Sequence, residues 1–124
     1  MARIAQLRAV VLDCPDPRAL ADFYRQLVGG EITYADDDWV NLRDGAQVLL
    51  SFQRAEGYQP PDWPGTERGQ QFHIDVTVDD VDVAEREVLA LGATKARTDL
   101  QFGKDENWLV YLDPAGHPFC LCWD

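Results

Sequence analysis

Residues 9–30 read AVVLDCPDPRALADFYRQLVGG, and residues 73–93 read HIDVTVDDVDVAEREVLALGA. Each is an apolar strand, an acidic turn, an amphipathic helix and a small-residue stop. A second pair follows, WVNLRDGAQVLLSF at 39–52 and WLVYLDPAGHPFCLCW at 108–123. Both begin on Trp, break at Asp and Gly, and resume as an apolar strand. A half-domain written twice predicts two half-sheets around a shared cleft, and the cleft is where a ligand is expected.

The local signals are consistent with that order. Arg8 to Cys14 is rich in Val and Leu, as a strand buried on both faces would be. Asp16-Pro17 predicts a helix start, because Asp caps free amides and Pro suits the first turn. Leu20, Phe23, Tyr24 and Leu27 then form one apolar face, and Gly29-Gly30 ends the helix. Glu31–Tyr34, Trp39–Leu42 and Gln47–Gln53 read as strands, with a hairpin turn at Asp44-Gly45. Phe72 to Val78 opens the second copy. Asp79 or Asp80 caps a helix with Val81, Ala84, Val88 and Leu91 on its inner face, and Gly92-Ala93 ends it. Strands follow near 94–98, 107–112 and 118–123. The modules span about 6–53 and 71–124, with the Gly- and Pro-containing stretch 54–70 as linker.

The expected fold class is therefore α+β. Two βαβββ modules form a curved, incompletely closed eight-stranded barrel around a cleft, helices outside. Period-two alternation then assigns faces. Val10, Leu12 and Cys14 turn to the first helix, and Ala9, Val11 and Asp13 to the cleft. Ile74, Val76 and Val78 turn to the second helix, and His73, Asp75 and Thr77 to the cleft.

Composition narrows the partners. With 124 residues and 46% hydrophobic content, the chain is one domain with a real core. No stretch reaches the roughly 20 apolar residues of a membrane helix, and no secretion signal is evident. Three Cys are too few for a disulfide framework, so a cytoplasmic, reduced protein is expected. The net charge of −11 repels phosphate backbones, which argues against nucleic acid. It favours a small cationic molecule, or simply maintains solubility.

Several residues are candidates for chemistry. His73 is either a base or hydrogen-bond donor to a ligand, or a polar packing residue. Asp75 lies two residues on, about 7 Å along the strand, close enough to couple to it. Asp13 is either a wall of the cleft or a solvated strand end. Cys120 and Cys122 share a face; with His73 and Asp75 they offer a soft metal set, but their spacing is not the usual one for zinc, and buried inert thiols are the plainer reading. Trp39, Phe52, Trp63, Phe72, Phe102 and Trp108 are candidates for flat pocket walls that stack on rings and attract cations, with Trp63 on a flap. Phe119 and Trp123 are expected in the core. His117, after Gly116, is expected at solvent or at the cleft mouth.

The duplication, with DPRALADFY after the first strand and YLDPAGHPF near the end, resembles the vicinal oxygen chelate superfamily. That superfamily includes glyoxalases, bleomycin-resistance proteins and extradiol dioxygenases. The resemblance covers almost the whole chain and implies frequent homodimers. It also implies metal ligands at four positions: His or Gln on the first strand, Glu on the fourth, His on the fifth and Glu on the eighth. Here those positions are Ala9, Leu49 or Ser51, His73 and Cys120. Three of the four are substituted, so no cofactor is expected; a divalent metal, if present, would use His73 and Cys120. In glutathione-using members an Arg often stands where Asp13 is, which argues against a glutathione conjugate.

The favoured function is a small-molecule-binding protein of the bleomycin-resistance type that takes an aromatic or cationic ligand. Its expected contacts are Asp13, Trp39, Ser51, Trp63, His73, Asp75, Trp108 and Cys120. The alternative is a lyase, isomerase or dioxygenase with His73 and Asp75 as catalytic groups. A third reading is a module whose role is mainly association.

Overall fold

The computed structural model describes residues 7–62, 67–69, 73–96 and 107–124, with the side chains of residues 48 and 49 excepted. The first module runs β1 (Val11–Cys14), α1 (Pro17–Val28), β2 (Glu31–Ala35), β3 (Trp39–Asp44) and β4 (Gln47–Arg54). The second runs β5 (Ile74–Thr77), α2 (Val81–Ala90), β6 (Thr94–Lys95), β7 (Trp108–Leu112) and β8 (Pro118–Cys122). The fold is α+β, a βαβββ unit used twice. Each unit has its own open four-stranded sheet, ordered β1-β4-β3-β2 and β5-β8-β7-β6. The chain divides into two compact units, Met1–Tyr58 and Gln59–Asp124, a division inside the segment read as linker.

Capping sets both helix starts. The Asp16 carboxylate accepts from the Ala19 amide at 3.2 Å, and Pro17 fills the first turn. Of the two candidates for the second cap, Asp80 takes the role, accepting from the amides of Asp82 and Val83 at 3.0 and 3.2 Å. At the end of α1, Gly30 has φ +91°, and a Cβ there would lie 2.6 Å from the Arg43 carbonyl oxygen. Glycine alone permits both the turn and that close approach.

The first core lies between sheet and helix. Leu12, Cys14, Val40, Leu42 and Phe52 are buried against Leu20, Phe23 and Tyr24 of α1. The Tyr24 ring stacks on Phe52 at 5.7 Å and meets the edge of Phe23 at 5.1 Å. Burying each such side chain stabilises the fold by about 1.5–3 kcal/mol. Phe52 is therefore not a pocket wall. It stands opposite Leu12 and Val40, so strand alternation turns it to the helix.

In the second module Leu109, Tyr111, Phe119 and Leu121 are buried on the helix side with Val88. Tyr111 donates to Glu85 at 2.9 Å, and Lys95 reaches the same carboxylate at 2.9 Å. Burial pushes the Tyr111 phenol well above its usual range, and the Glu85 carboxylate adds to the effect. The inner strands β4, β7 and β8 carry residues buried on both faces, Leu50, Ser51 and Phe52 in β4 among them. The first strand, expected to do so, instead alternates: Val11 and Asp13 are exposed, Leu12 and Cys14 buried. Its place at a sheet edge accounts for the difference.

His117 also departs from expectation. Its Nδ1 sits 2.8 Å from the Asp113 carboxylate, and the side chains are 15% and 0% exposed. Asp113 Oδ1 accepts from the amides of Ala115 and His117 as well. The DPAGH turn is thus wound around one buried carboxylate, which holds His117 in the turn instead of releasing it to solvent.

Candidate functional site

Each sheet has a face turned away from its helix, and each such face lines a cavity. In the second module the cavity is about 410 Å³. Its walls are His73, Asp75, Asn107, Trp108, Cys120 and Cys122. Parallel pairing of β5 with β8 sets Asp75 opposite Cys120, and antiparallel pairing of β7 with β8 sets Trp108 opposite Cys122. Ala96, Val110 and Cys120 form a buried floor with Trp108 packed against it.

His73 and Asp75 are in direct contact, Nε2 to Oδ1 at 3.2 Å, with side chains 30% and 62% exposed. Cys120 is 2% exposed, and its thiol is pushed up to about 12. Burial is the main cause, followed by the nearby Asp75 carboxylate. Cys122 is raised for the same two reasons. Both sulfurs are neutral thiols at ordinary pH, a poor setting for nucleophilic work.

In the first module the corresponding cavity is about 250 Å³, and Trp39 and Ser51 lie on its wall. Trp39 Nε1 and Ser51 Oγ both donate to Asn41 Oδ1, each at 2.7 Å. Asp13 is exposed at the end of β1, opposite Gln53, and lines neither cavity. Trp63, Phe72 and Phe102 lie outside the described residues. Of the residues that the sequence assigns to one shared cleft, His73, Asp75, Trp108 and Cys120 line the second-module cavity, and Trp39 and Ser51 line the first-module one. The sequence reading passes over Asn41, Arg8, Arg43 and Asn107. Alternation along β3 from Trp39 would have found Asn41 and Arg43. Asn107 has φ +89°, a conformation Asn tolerates better than most residues, and its carbonyl accepts from the Trp123 amide at 3.1 Å.

The four-ligand metal set implied by the resemblance does not fit these residues. Ala9 and Leu49 have no donor atom, the Ser51 hydroxyl is bonded to Asn41, and Cys120 is a buried neutral thiol. A different trio is present in the second module alone. Donor atoms of His73, Asp75 and Cys120 all lie within 4.8 Å of one another.

The sequence profile of the glyoxalase-like domain matches residues 9–122. The chain belongs to the glyoxalase-like domain family. This places the glyoxalase-like protein in the vicinal oxygen chelate superfamily, and solved structures agree at the level of fold. A glyoxalase/bleomycin resistance protein/dioxygenase family enzyme from Burkholderia phytofirmans PsJN is 24% identical, with a TM-score of 0.69 over 96% of this chain and 98% of that one. The bleomycin-binding protein of Streptomyces verticillus, solved with copper(II)-bleomycin, is 20% identical, with a TM-score of 0.56 over 98% and 99%. The fosfomycin resistance protein FosX of Mesorhizobium loti is 15% identical, with a TM-score of 0.66 over 98% and 94%. No match was found among curated proteins. Among the described residues no helix is long and apolar enough to cross a membrane.

Proposed function

We propose that this glyoxalase-like protein binds a small planar cation in the cavity of its second module, in the manner of the bleomycin-binding branch and without a resident cofactor. The observation that carries the reading is the pairing of the Trp108 indole with the Asp75 carboxylate around a hollow of about 410 Å³. That volume suits a small molecule, an indole wall attracts a flat cation, and a carboxylate adds charge complementarity. The net charge of −11 draws cations toward the protein at low salt. Proflavine is a suitable probe. It should bind saturably, with affinity falling about tenfold in Asp75→Asn and in Trp108→Leu. Unchanged affinity in both variants would overturn the reading. Stoichiometric metal in purified protein would overturn its cofactor-free form. The reading includes a cytoplasmic homodimer, supported by the exposed edge strand β2 with Ile32 and Tyr34 at its surface. Sedimentation velocity and cell fractionation check those two points.

The His73–Asp75 contact at 3.2 Å favours a second reading, a lyase, isomerase or dioxygenase working at His73. Asp75 would orient the imidazole, and His73 would move a proton at a bound substrate. Turnover lost in His73→Ala with the fold intact is its signature.

A further inference from the structure

We infer that the helix-free face of the first module is a binding site for a small molecule that joins a carboxylate to a planar ring. The chain carries 22 acidic residues against 11 Lys and Arg, so most of its surface repels anions. The first-module cavity is the exception. Arg8 and Arg43 stand on its wall, and among the described residues no Asp or Glu lines it, Glu31 standing opposite Arg43 on the edge strand β2.

Four of the other described cations are engaged in ion pairs. Arg18 pairs with Asp37 at 3.4 Å, Arg25 with Asp22 at 2.6 Å, Arg54 with Asp38 at 3.8 Å, and Lys95 with Glu85 at 2.9 Å. Among the described residues, Arg8, Arg43, Arg68 and Arg86 are in no ion pair, and of these Arg8 and Arg43 share a cavity wall. Arg43 donates through Nη1 to the Ala46 carbonyl at 3.3 Å, one of the five N–H donors a guanidinium has.

The rest of the wall has the same sense. The Asn41 carbonyl accepts from both Trp39 and Ser51, which fixes the amide with its NH₂ as the remaining polar group. Two guanidiniums and an amide NH₂ make donors predominate, against the acceptor lone pairs of the Ser51 hydroxyl. Such a wall selects a group that only accepts, and a carboxylate matches the guanidinium fork. The half-buried Trp39 ring adds a flat contact, with its N–H already held by Asn41. Ala9 and Val11 add an apolar surface. At about 250 Å³ the hollow suits a single-ring acid. This site has the opposite charge preference to that proposed for the second module and does not depend on it.

Benzoate is the probe. Protein labelled with 5-fluorotryptophan gives fluorine resonances, and Trp39→Phe assigns the one from Trp39. Benzoate should shift that resonance saturably, and binding should weaken as salt rises. Affinity should fall about tenfold or more in Arg43→Gln and in Arg8→Gln, and return in part in Arg43→Lys. Acetate, which lacks the ring, and benzamidine, which reverses the charge, should leave the resonance in place at the same concentration. Circular dichroism of each Gln variant checks that the fold is kept. The inference is overturned by no benzoate response at Trp39, by an equal response to benzamidine, or by unchanged affinity in the folded Arg8→Gln/Arg43→Gln double variant.

Discussion

At matched positions of the two modules, Val11 corresponds to Asp75, Ser51 to Cys120, Asn41 to Val110 and Trp39 to Trp108. The strand order is the same, and the Trp is retained. The polar groups have moved. In the first module they sit on the inner strands β3 and β4, where Asn41 gathers Trp39 and Ser51 into one hydrogen-bonded cluster. In the second they sit on the outer strand β5 as Asp75 and just before it as His73, while β7 and β8 contribute Val110 and Cys120 to an apolar floor. A duplicated backbone therefore carries two different surfaces. A duplicated fold predicts where a site is, and the substitutions decide what it holds.

The comparison can be broken first at the cores, which should behave alike. Phe52→Ala and Phe119→Ala remove fully buried rings and should each cost about 3–5 kcal/mol in denaturant unfolding. A much smaller loss on one side would mean that one module contributes little to cooperative folding.

The next largest effect distinguishes the helix-free faces. Raising the Cys120 thiol from 9.0 to about 12 lowers its thiolate fraction at pH 8 about a thousandfold. Iodoacetamide should therefore modify native Cys120 at least that much more slowly than the unfolded chain, as read by mass spectrometry. The same shift has a pH sign. Below about pH 9 the thiol is protonated in both states. Above it the unfolded chain ionises first, so this contribution to stability declines as pH rises from 9 toward 12. The raised Tyr111 phenol acts in the same direction.

A reciprocal exchange sharpens the contrast further. Cys120→Ser puts a hydroxyl into the apolar floor and should cost about 1–3 kcal/mol. Ser51→Cys loses the 2.7 Å bond to Asn41 and should cost about 1 kcal/mol. Equal losses would remove the distinction between a polar and an apolar face. The smallest effect is at the caps, where Asp16→Ala and Asp80→Ala should each cost about 1 kcal/mol in thermal unfolding, Asp80 the more because it holds two amides.

Much of this was legible along the chain. Both helix starts, the strand sequence and the shared face of His73 and Asp75 follow from caps and alternation. The errors arose where a distant partner decides. Phe52 read as a pocket aromatic, yet it stacks on Tyr24, 28 positions away. β1 reads as buried on both faces, yet only Leu12 and Cys14 are buried, because nothing local marks a strand as an edge. His117 reads as lying at solvent or at the cleft mouth because its capture by Asp113 depends on how the turn closes.

Periodicity and capping are properties of a few neighbouring residues, so the order of elements and the two faces of each strand were written in the amino acids themselves. Convergence is different. Arg8 and Arg43 share a wall because β1 pairs in parallel with β4, and β4 pairs antiparallel with β3. Asp75 lies against Cys120 because β5 pairs with β8 across more than 40 residues of chain. Strand order and register are settled by the packing of whole sheets, and that packing brought charge, thiol and indole together.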